Sequence, residues 1–317
     1  AYEIRPRDWS SDVCSSDLGL HGAVSAPLTA EEARRLDRLT IGTLQTTPSV
    51  QAAGARLARA RGVGSEFHDF RQYQPGDDPR SIAWTVYGRL GQLVTRVTRA
   101  DAHMRVHLLV DTSRSMRVGV PDKFSSAARI AALLGYVGVR ERDAVGLATF
   151  DATVRTCLPP ESGRGQLFRL FRALEDARCD GHSDLDGALS GYGTVARGPG
   201  LAVVISDFFD PRGAVGGLRQ LLHRGLTPVL IHVRAPEEID PAMEDDAEIV
   251  DIEQPGTPVL VDRDTAVVYR ARLAEHRAAL GEFCRAHGLV SIDVVSSDSF
   301  RTVLDACRRS GLLAAQG

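Results

Sequence analysis

Asp111-Thr112-Ser113-Arg114-Ser115 sets one carboxylate and two hydroxyls at alternate positions, directly after the apolar run Val106–Val110. A second apolar run, Leu201–Ser206, also closes on an aspartate, Asp207. In an open parallel sheet, ligands sit beyond the carboxyl ends of the strands, where the strand order reverses. A carboxylate and two hydroxyls on a tight loop at that place offer hard oxygen ligands to a hard cation. Mg2+ (or Mn2+) accepts such a set while keeping several waters.

Those loops need strands to hold them. From Met104 onward, short apolar runs alternate with helical stretches. Val106–Val110, Ala144–Phe150, Leu201–Ser206, Pro228–Val233 and Ser291–Val295 read as strands. Phe124–Val139, Gly165–Ala177, Leu185–Val195, Gly216–His223, Asp264–His287 and Phe300–Arg309 read as helices, Asp264 and Gly288 capping the longest. Continuous apolar strands signal burial on both faces, and the alternation predicts an α/β, Rossmann-like, mostly parallel sheet with helices on both faces. Thr153–Leu158 alternates and can pair back through the turn at Asp151, while Glu248–Ile252 and Pro258–Val261 predict a hairpin extension. The metal loop is expected on the surface, outside the core.

Upstream, Thr29 and Glu32 form a capping box, and Leu36, Leu39 and Leu44 are spaced for one helical face. Gln51–Gly64 reads as a connection and Leu93–Val97 as a strand. Asp8–Leu18 reads DWSSDVCSSDL, residue for residue the translation of a common short-read sequencing adapter. The expected organisation is therefore a disordered artefact at 1–18, a small helical and strand attachment at 19–103, and the α/β domain at 104–317.

Composition narrows the function. The chain has 317 residues and a formal charge of −3, without the basic excess of a nucleic-acid binder. Five cysteines are scattered without CxxC spacing, which fits a reducing cytoplasm better than a disulfide framework or a zinc site. The apolar stretch Ile130–Val139 falls far short of the roughly 20 residues a membrane span needs. No secretory signal is read at the start, and no GxGxxG, GxxxxGK[ST] or GxSxG string occurs.

The ordered set of DxSxS, a Ser/Thr loop and a later Asp resembles the metal-ion-dependent adhesion site of von Willebrand factor A domains. The resemblance implies a von Willebrand factor A-like fold in which Ser113 and Ser115 ligate the cation directly. Asp111 and Asp207 would act directly or through water. Gly181-His182-Ser183-Asp184-Leu185 is similar to that family's Gly-x-Thr-[Asp/Asn]-Leu loop, with Ser183 keeping the hydroxyl in place of threonine. It also implies that an open coordination position takes an Asp or Glu from a protein partner, so the chain is expected to bind rather than catalyse. The alternative is a metal-dependent hydrolase, for which His182 is the candidate general base.

A second resemblance runs from Leu28 to the C-terminus. Phe67-His68-Asp69-Phe70-Arg71-Gln72-Tyr73-Gln74-Pro75-Gly76-Asp77-Asp78-Pro79-Arg80-Ser81-Ile82-Ala83-Trp84 resembles the hallmark of the bacterial family called domain of unknown function 58. That likeness implies a partnership with a MoxR-type AAA+ ATPase, or its client, in maturing protein complexes. Tyr73 to Asp77 has the residues of a turn, and Arg71 and Arg80 can bond Asp77, Asp78 or carbonyls. Arg71, Tyr73, Pro75, Gly76, Asp77, Asp78 and Arg80 then form either a partner-docking surface or a staple onto the sheet with Trp84 buried.

Overall fold

A computed structural model of the chain describes residues 2–5, 28–42, 66–74, 79–99, 104–210, 212–239, 248–251, 259–260 and 263–316. It divides into two compact units, one formed by Ala1–Thr46 with Met104–Gly317 and the other by Thr47–His103.

In chain order the strands are β1 (Tyr2–Arg5), β2 (Leu39–Ile41), β3 (Glu66–Gln72), β4 (Val94–Arg99), β5 (Arg105–Asp111), β6 (Ala144–Phe150) and β7 (Val154–Glu161). They continue as β8 (Gly200–Ser206), β9 (Leu226–Arg234), β10 (Glu248–Asp251), β11 (Val259–Leu260), β12 (Val290–Val295) and β13 (Leu313–Ala315). The helices are α1 (Ala30–Leu36), α2 (Trp84–Leu90), α3 (Lys123–Arg140), α4 (Arg164–Glu175) and α5 (Leu185–Val195). After them come α6 (Val215–His223), α7 (Pro236–Ile239), α8 (Arg263–His287) and α9 (Phe300–Arg309).

The larger unit is built on a six-stranded sheet ordered β12-β9-β8-β5-β6-β7. All neighbours run parallel except β6 and β7, which are joined by the tight turn after Phe150. The α/β, Rossmann-like reading holds. Strand alternation sorts the core into two layers. Val106, Leu108, Val110, Val203, Ile205, Val229, Ile231 and Val233 pack with α3, α4 and α9 on one face. Leu109, Ala202, Val204 and Leu230 pack with α5, α6 and α8 on the other. Each fully buried Val, Leu or Ile among them contributes about 1.5–3 kcal/mol, so the strands are fixed from both sides.

Three N-terminal expectations need correction. Residues 28–42 are not part of a separate attachment. β2 pairs antiparallel with β13, and Leu36, Leu39 and Ile41 join the first core layer. The helix stops at Leu36 because Leu-Thr-Ile is a β-forming triplet with a strand to pair with, so Leu36 and Leu39 do not share a helical face. Leu44 lies outside the described residues.

Nor are residues 1–18 all free of contacts. Tyr2–Arg5 pairs antiparallel with Glu248–Asp251 as the third strand beside the β10-β11 hairpin, completing an otherwise open edge. Asp8–Leu18 lies outside the described residues. The long helix begins at Arg263 rather than on Asp264 as its cap, and it ends at Gly288, whose φ of 62° suits glycine.

In the smaller unit, β3 and β4 form an antiparallel pair that carries α2 between them in sequence. Sequence patterning recovered β4 and missed β3, which mixes charged and aromatic residues. Ala83 takes the buried position there, with its N–H donated to Val94 O, and Trp84 is 60% exposed with its edge against Tyr87. The expectation of a buried Trp84 fails. Tyr73 is half-buried and its N–H bonds Leu93 O, while Pro75, Gly76, Asp77 and Asp78, and the side chains of Arg71 and Arg80, lie outside the described residues.

Candidate functional site

Chain order decides where the loops meet. The sheet grows from β5 to one side as β6 and β7, then returns to the other side of β5 as β8 and β9. Strand order therefore reverses between β5 and β8, the place at which open α/β sheets generally form a ligand crevice beyond the strands' carboxyl ends. Val110 pairs with Ile205 at the end of that ladder, so Asp111 and Ser206 emerge side by side.

The loop after β5 is pinned at every step. Thr112 donates its N–H and its hydroxyl to Phe150 O at 2.7 and 2.9 Å. Ser113 N–H donates to Asp111 Oδ1 at 2.8 Å, and Ser206 Oγ donates to Asp111 Oδ2 at 2.6 Å. A 3-10 turn over Arg114–Arg117 then brings Ser113 Oγ and Ser115 Oγ within 2.9 Å of each other. Met116, fully buried, anchors that turn in the core.

The loop before α5 lies against it. Ser113 bridges to Gly181, and Arg114 N–H donates to Gly181 O at 2.8 Å. A side chain at Gly181 would strike Asp151, so glycine permits this approach. Asp210 ties the same loop to the one after β8 by accepting from Leu185 N–H at 2.7 Å and Arg212 N–H at 2.8 Å. Arg212 also donates to Ser183 O and pairs with Asp184. Asp111, Ser113, Ser115, Ser183 and Asp207 thus gather at one end of the sheet, from three loops.

The surface-loop expectation is overturned: Asp111, Ser113, Ser115 and Asp207 are fully buried and Ser183 nearly so. The turn points Met116 inward while the Gly181–Leu185 loop covers the hydroxyls. Arg114, Arg117, Asp180, His182 and Arg212 are among the exposed residues of these loops.

The two aspartates have different surroundings. Burial, and then repulsion from Asp207, pushes the Asp111 carboxyl well above the ordinary carboxylate range, against the opposing bonds from Ser206 and Ser113. Burial would raise Asp207 as well, but Lys123 outweighs it and holds that carboxyl low. Lys123 Nζ sits 2.6 Å from Asp207 Oδ2 and 2.5 Å from Glu238 Oε1, with both ion pairs out of solvent. Asp207 Oδ1 accepts Phe209 N–H at 3.0 Å, and Glu238 Oε2 accepts Ala235 N–H at 2.9 Å.

Phe208 follows Asp207 with φ of 55°, a left-handed conformation costly for a bulky residue. Its burial, its N–H bond to Ser206 Oγ and the His276 Nε2–H donated to its carbonyl at 2.8 Å hold it there.

Sequence reading missed Lys123, Glu238, Ser206 and Asp210. The signal for Lys123 was present: a lysine opens a helix whose remaining residues are mostly apolar and buried, just after Pro121-Asp122. Glu238 comes from a helix of one turn and left no pattern to find. Among the described residues no group of three His, Cys, Asp or Glu could hold a metal, so any cation here depends on hydroxyl oxygens.

The fold and this site define a Rossmann-like α/β protein with a buried, oxygen-rich cluster at its strand-order reversal. The chain belongs to the family described as "Protein of unknown function DUF58", whose model matches residues 69–280. It is similar to uncharacterized protein Rv1480 of Mycobacterium tuberculosis (strain ATCC 25618 / H37Rv) and uncharacterized protein Mb1516 of Mycobacterium bovis. Each is 29% identical over 283 residues, covering 82% of this chain and 85% of the relative. Among solved structures, conserved hypothetical protein BatB from Bacteroides thetaiotaomicron matches with a TM-score of 0.42 at 18% identity, over 65% of this chain and 98% of its own. An aerotolerance-related membrane protein from Bacteroides fragilis matches with 0.41 at 17%, over 66% and 98%.

Proposed function

We propose that this chain is a metal-dependent protein-binding module of von Willebrand factor A type, an adaptor for a MoxR-type AAA+ ATPase or its client in protein complex maturation. The observation that carries the reading is Asp111. It is a fully buried carboxylate beside two paired serine hydroxyls, and among the described residues no Lys, Arg or His forms an ion pair with it. Its raised protonation level is the mark of a missing positive charge, and a hard divalent cation fits that donor set.

Asp111, Ser113, Ser115 and Ser183 would hold Mg2+ or Mn2+, with Asp207 acting through water because the Lys123 ammonium already neutralises it. The cation supplies a positive centre that a carboxylate from outside can complete. Exposed Arg114 and Arg117 lie on the DxSxS turn itself and favour an acidic partner segment. Among the described residues no helix is long and apolar enough to cross a membrane, and we place the module's work in the cytoplasm.

The test is titration of a MoxR-type AAA+ ATPase from the same organism onto wild type and Asp111→Asn, each with and without EDTA. Binding should weaken equally with chelator or mutation, and EDTA should do nothing further to the mutant. Equal affinity in all four conditions overturns the reading. Mg2+-dependent hydrolysis of small phosphate esters, lost in His182→Ala, would move the chain to the hydrolase class.

A further inference from the structure

Among the described residues Lys123 is the basic side chain that ion-pairs with Asp207, and it belongs to none of the three loops that bring the candidate ligands together. It comes from the first turn of α3, whose N-cap Asp122 accepts Ser125 N–H, so the position of its backbone is fixed. Its partner Glu238 comes from α7, more than a hundred residues on, and is itself fastened to Ala235 N–H. The ammonium therefore cannot swing to solvent, and it bridges two buried carboxylates on a fixed frame. Phe209 closes its remaining side, with the ring centroid 5.6 Å away.

We propose that Lys123 and Glu238 are positioning residues that set the charge, and so the cation affinity, of the Asp111 crevice, an inference that rests on that crevice being a cation site. Lys123 satisfies Asp207 from behind and keeps it from closing on the cation, while Glu238 returns the negative charge that Lys123 removes. The balance leaves the cation with Asp111 as its direct anionic ligand and a need for a carboxylate from outside. A device of this kind has a signature that a structural strut lacks: its two members act with opposite signs. Neutralising Lys123 adds net negative charge and frees Asp207, so the cation binds more tightly. Neutralising Glu238 removes negative charge and leaves Lys123 wholly to Asp207, so the cation binds more weakly.

The experiment is Mn2+ binding to the full-length chain at pH 8, read by electron paramagnetic resonance of the free ion. Calorimetry with Mg2+ provides a second readout. Lys123→Met should tighten Mn2+ binding by roughly tenfold or more, and Glu238→Gln should weaken it by a similar factor. The double variant should return to within about threefold of wild type, because the charge removed from each side is equal. If Lys123→Met does not fold, Glu238→Gln and the double variant decide: the first must weaken binding and the second must restore it. Loss of affinity in both single variants, or a double variant weaker than Glu238→Gln, overturns the proposal while leaving the cation site standing. Wild type that takes up no Mn2+ removes the site itself, and this inference with it.

Discussion

Asp111 and Asp207 end neighbouring parallel strands and are equally buried, yet the protein treats them as opposites. Asp111 faces two serine hydroxyls and one backbone N–H, all neutral donors. Asp207 faces a lysine that it shares with a third carboxylate. One position was given its counter-charge from within the fold and the other was not. Burial without a partner costs several kcal/mol per ion, so the unpaired position is where an external cation gains most. A search for acidic clusters would weight the two alike. Asking which carboxylate lacks a cation separates them.

The sharpest way to break the comparison is to remove the internal counter-charge. Lys123→Met leaves Asp207 and Glu238 buried together with no cation between them. It should cost about 3–5 kcal/mol of stability without added metal. Urea unfolding in EDTA measures this, and a cost below about 1 kcal/mol would mean the ammonium is not what holds Asp207.

Asp111→Asn should act in the other direction. The amide keeps the shape and removes a charge that nothing offsets, so the metal-free protein should gain on the order of 1–2 kcal/mol at pH 8 while losing Mn2+ binding. Thermal melts in EDTA and in Mn2+ give both numbers. Destabilisation in EDTA would show that Asp111 is already neutralised by something in the fold.

The difference should also appear in pH dependence. Asp111 is raised, so the folded chain holds that proton more tightly than the unfolded one, and stability falls as pH climbs above the ordinary carboxylate value. His107 sits two turns of the pleat below, on the same strand face, with Nδ1 2.7 Å from Tyr192 Oη. Burial first and Arg105 second lower it from 6.5 to about 4, so the unfolded chain takes up the proton first and stability falls as pH drops through that window. His232, lowered chiefly by burial, adds to that acid limb. The two effects oppose one another in wild type. In Asp111→Asn the acid limb should be less opposed, with Glu238 (also raised by burial) still working against it, so stability should rise more steeply than in wild type from about pH 4 to 6.5. His107→Gln should reduce the slope of that limb and leave the share that belongs to His232. An unchanged profile in Asp111→Asn would refute the assignment.

How much of this was legible in the sequence depends on how local each feature is. The buried strands Leu201–Ser206 and Ala144–Phe150, and the helices Leu185–Val195 and Phe300–Arg309, could be read because their apolar runs and caps lie within the element itself. The DxSxS loop was visible for the same reason. β2 and β13 were not, since three-residue strands exist here through each other, some 270 residues apart, and carry no period of their own. Trp84 was misjudged because an aromatic in a motif was assumed to be core, whereas the buried place at that turn went to Ala83. Lys123 and Glu238 are the strictest case. Each is an ordinary charged residue in sequence, and their meaning arises when Asp207 is brought between them and the crevice.

The smallest expected effect tests which side of the pair faces outward. Arg114 lies between the two paired serines, is exposed, and spends its Nε on Asp180 O at 2.8 Å. Arg114→Ala should change stability by no more than about 0.5 kcal/mol, the usual range for an exposed residue outside the core. Its charge, however, lies beside Asp180 at the edge of the DxSxS loop and outside the Lys123 ion pairs, where the proposed acidic partner would approach. A rim charge of that kind acts on encounter more than on residence. Arg114→Ala should therefore slow association with the ATPase about two- to fivefold at low salt and hardly at all at high salt, leaving dissociation unchanged. Exposed Arg172, which pairs with Asp176 at 3.8 Å on α4, provides a matched loss of one positive charge. Stopped-flow association of the two variants decides the point. Equal slowing by Arg172→Ala would reduce the effect to net charge, and slower dissociation in Arg114→Ala would mean that the arginine opposes the bound partner instead of guiding it in.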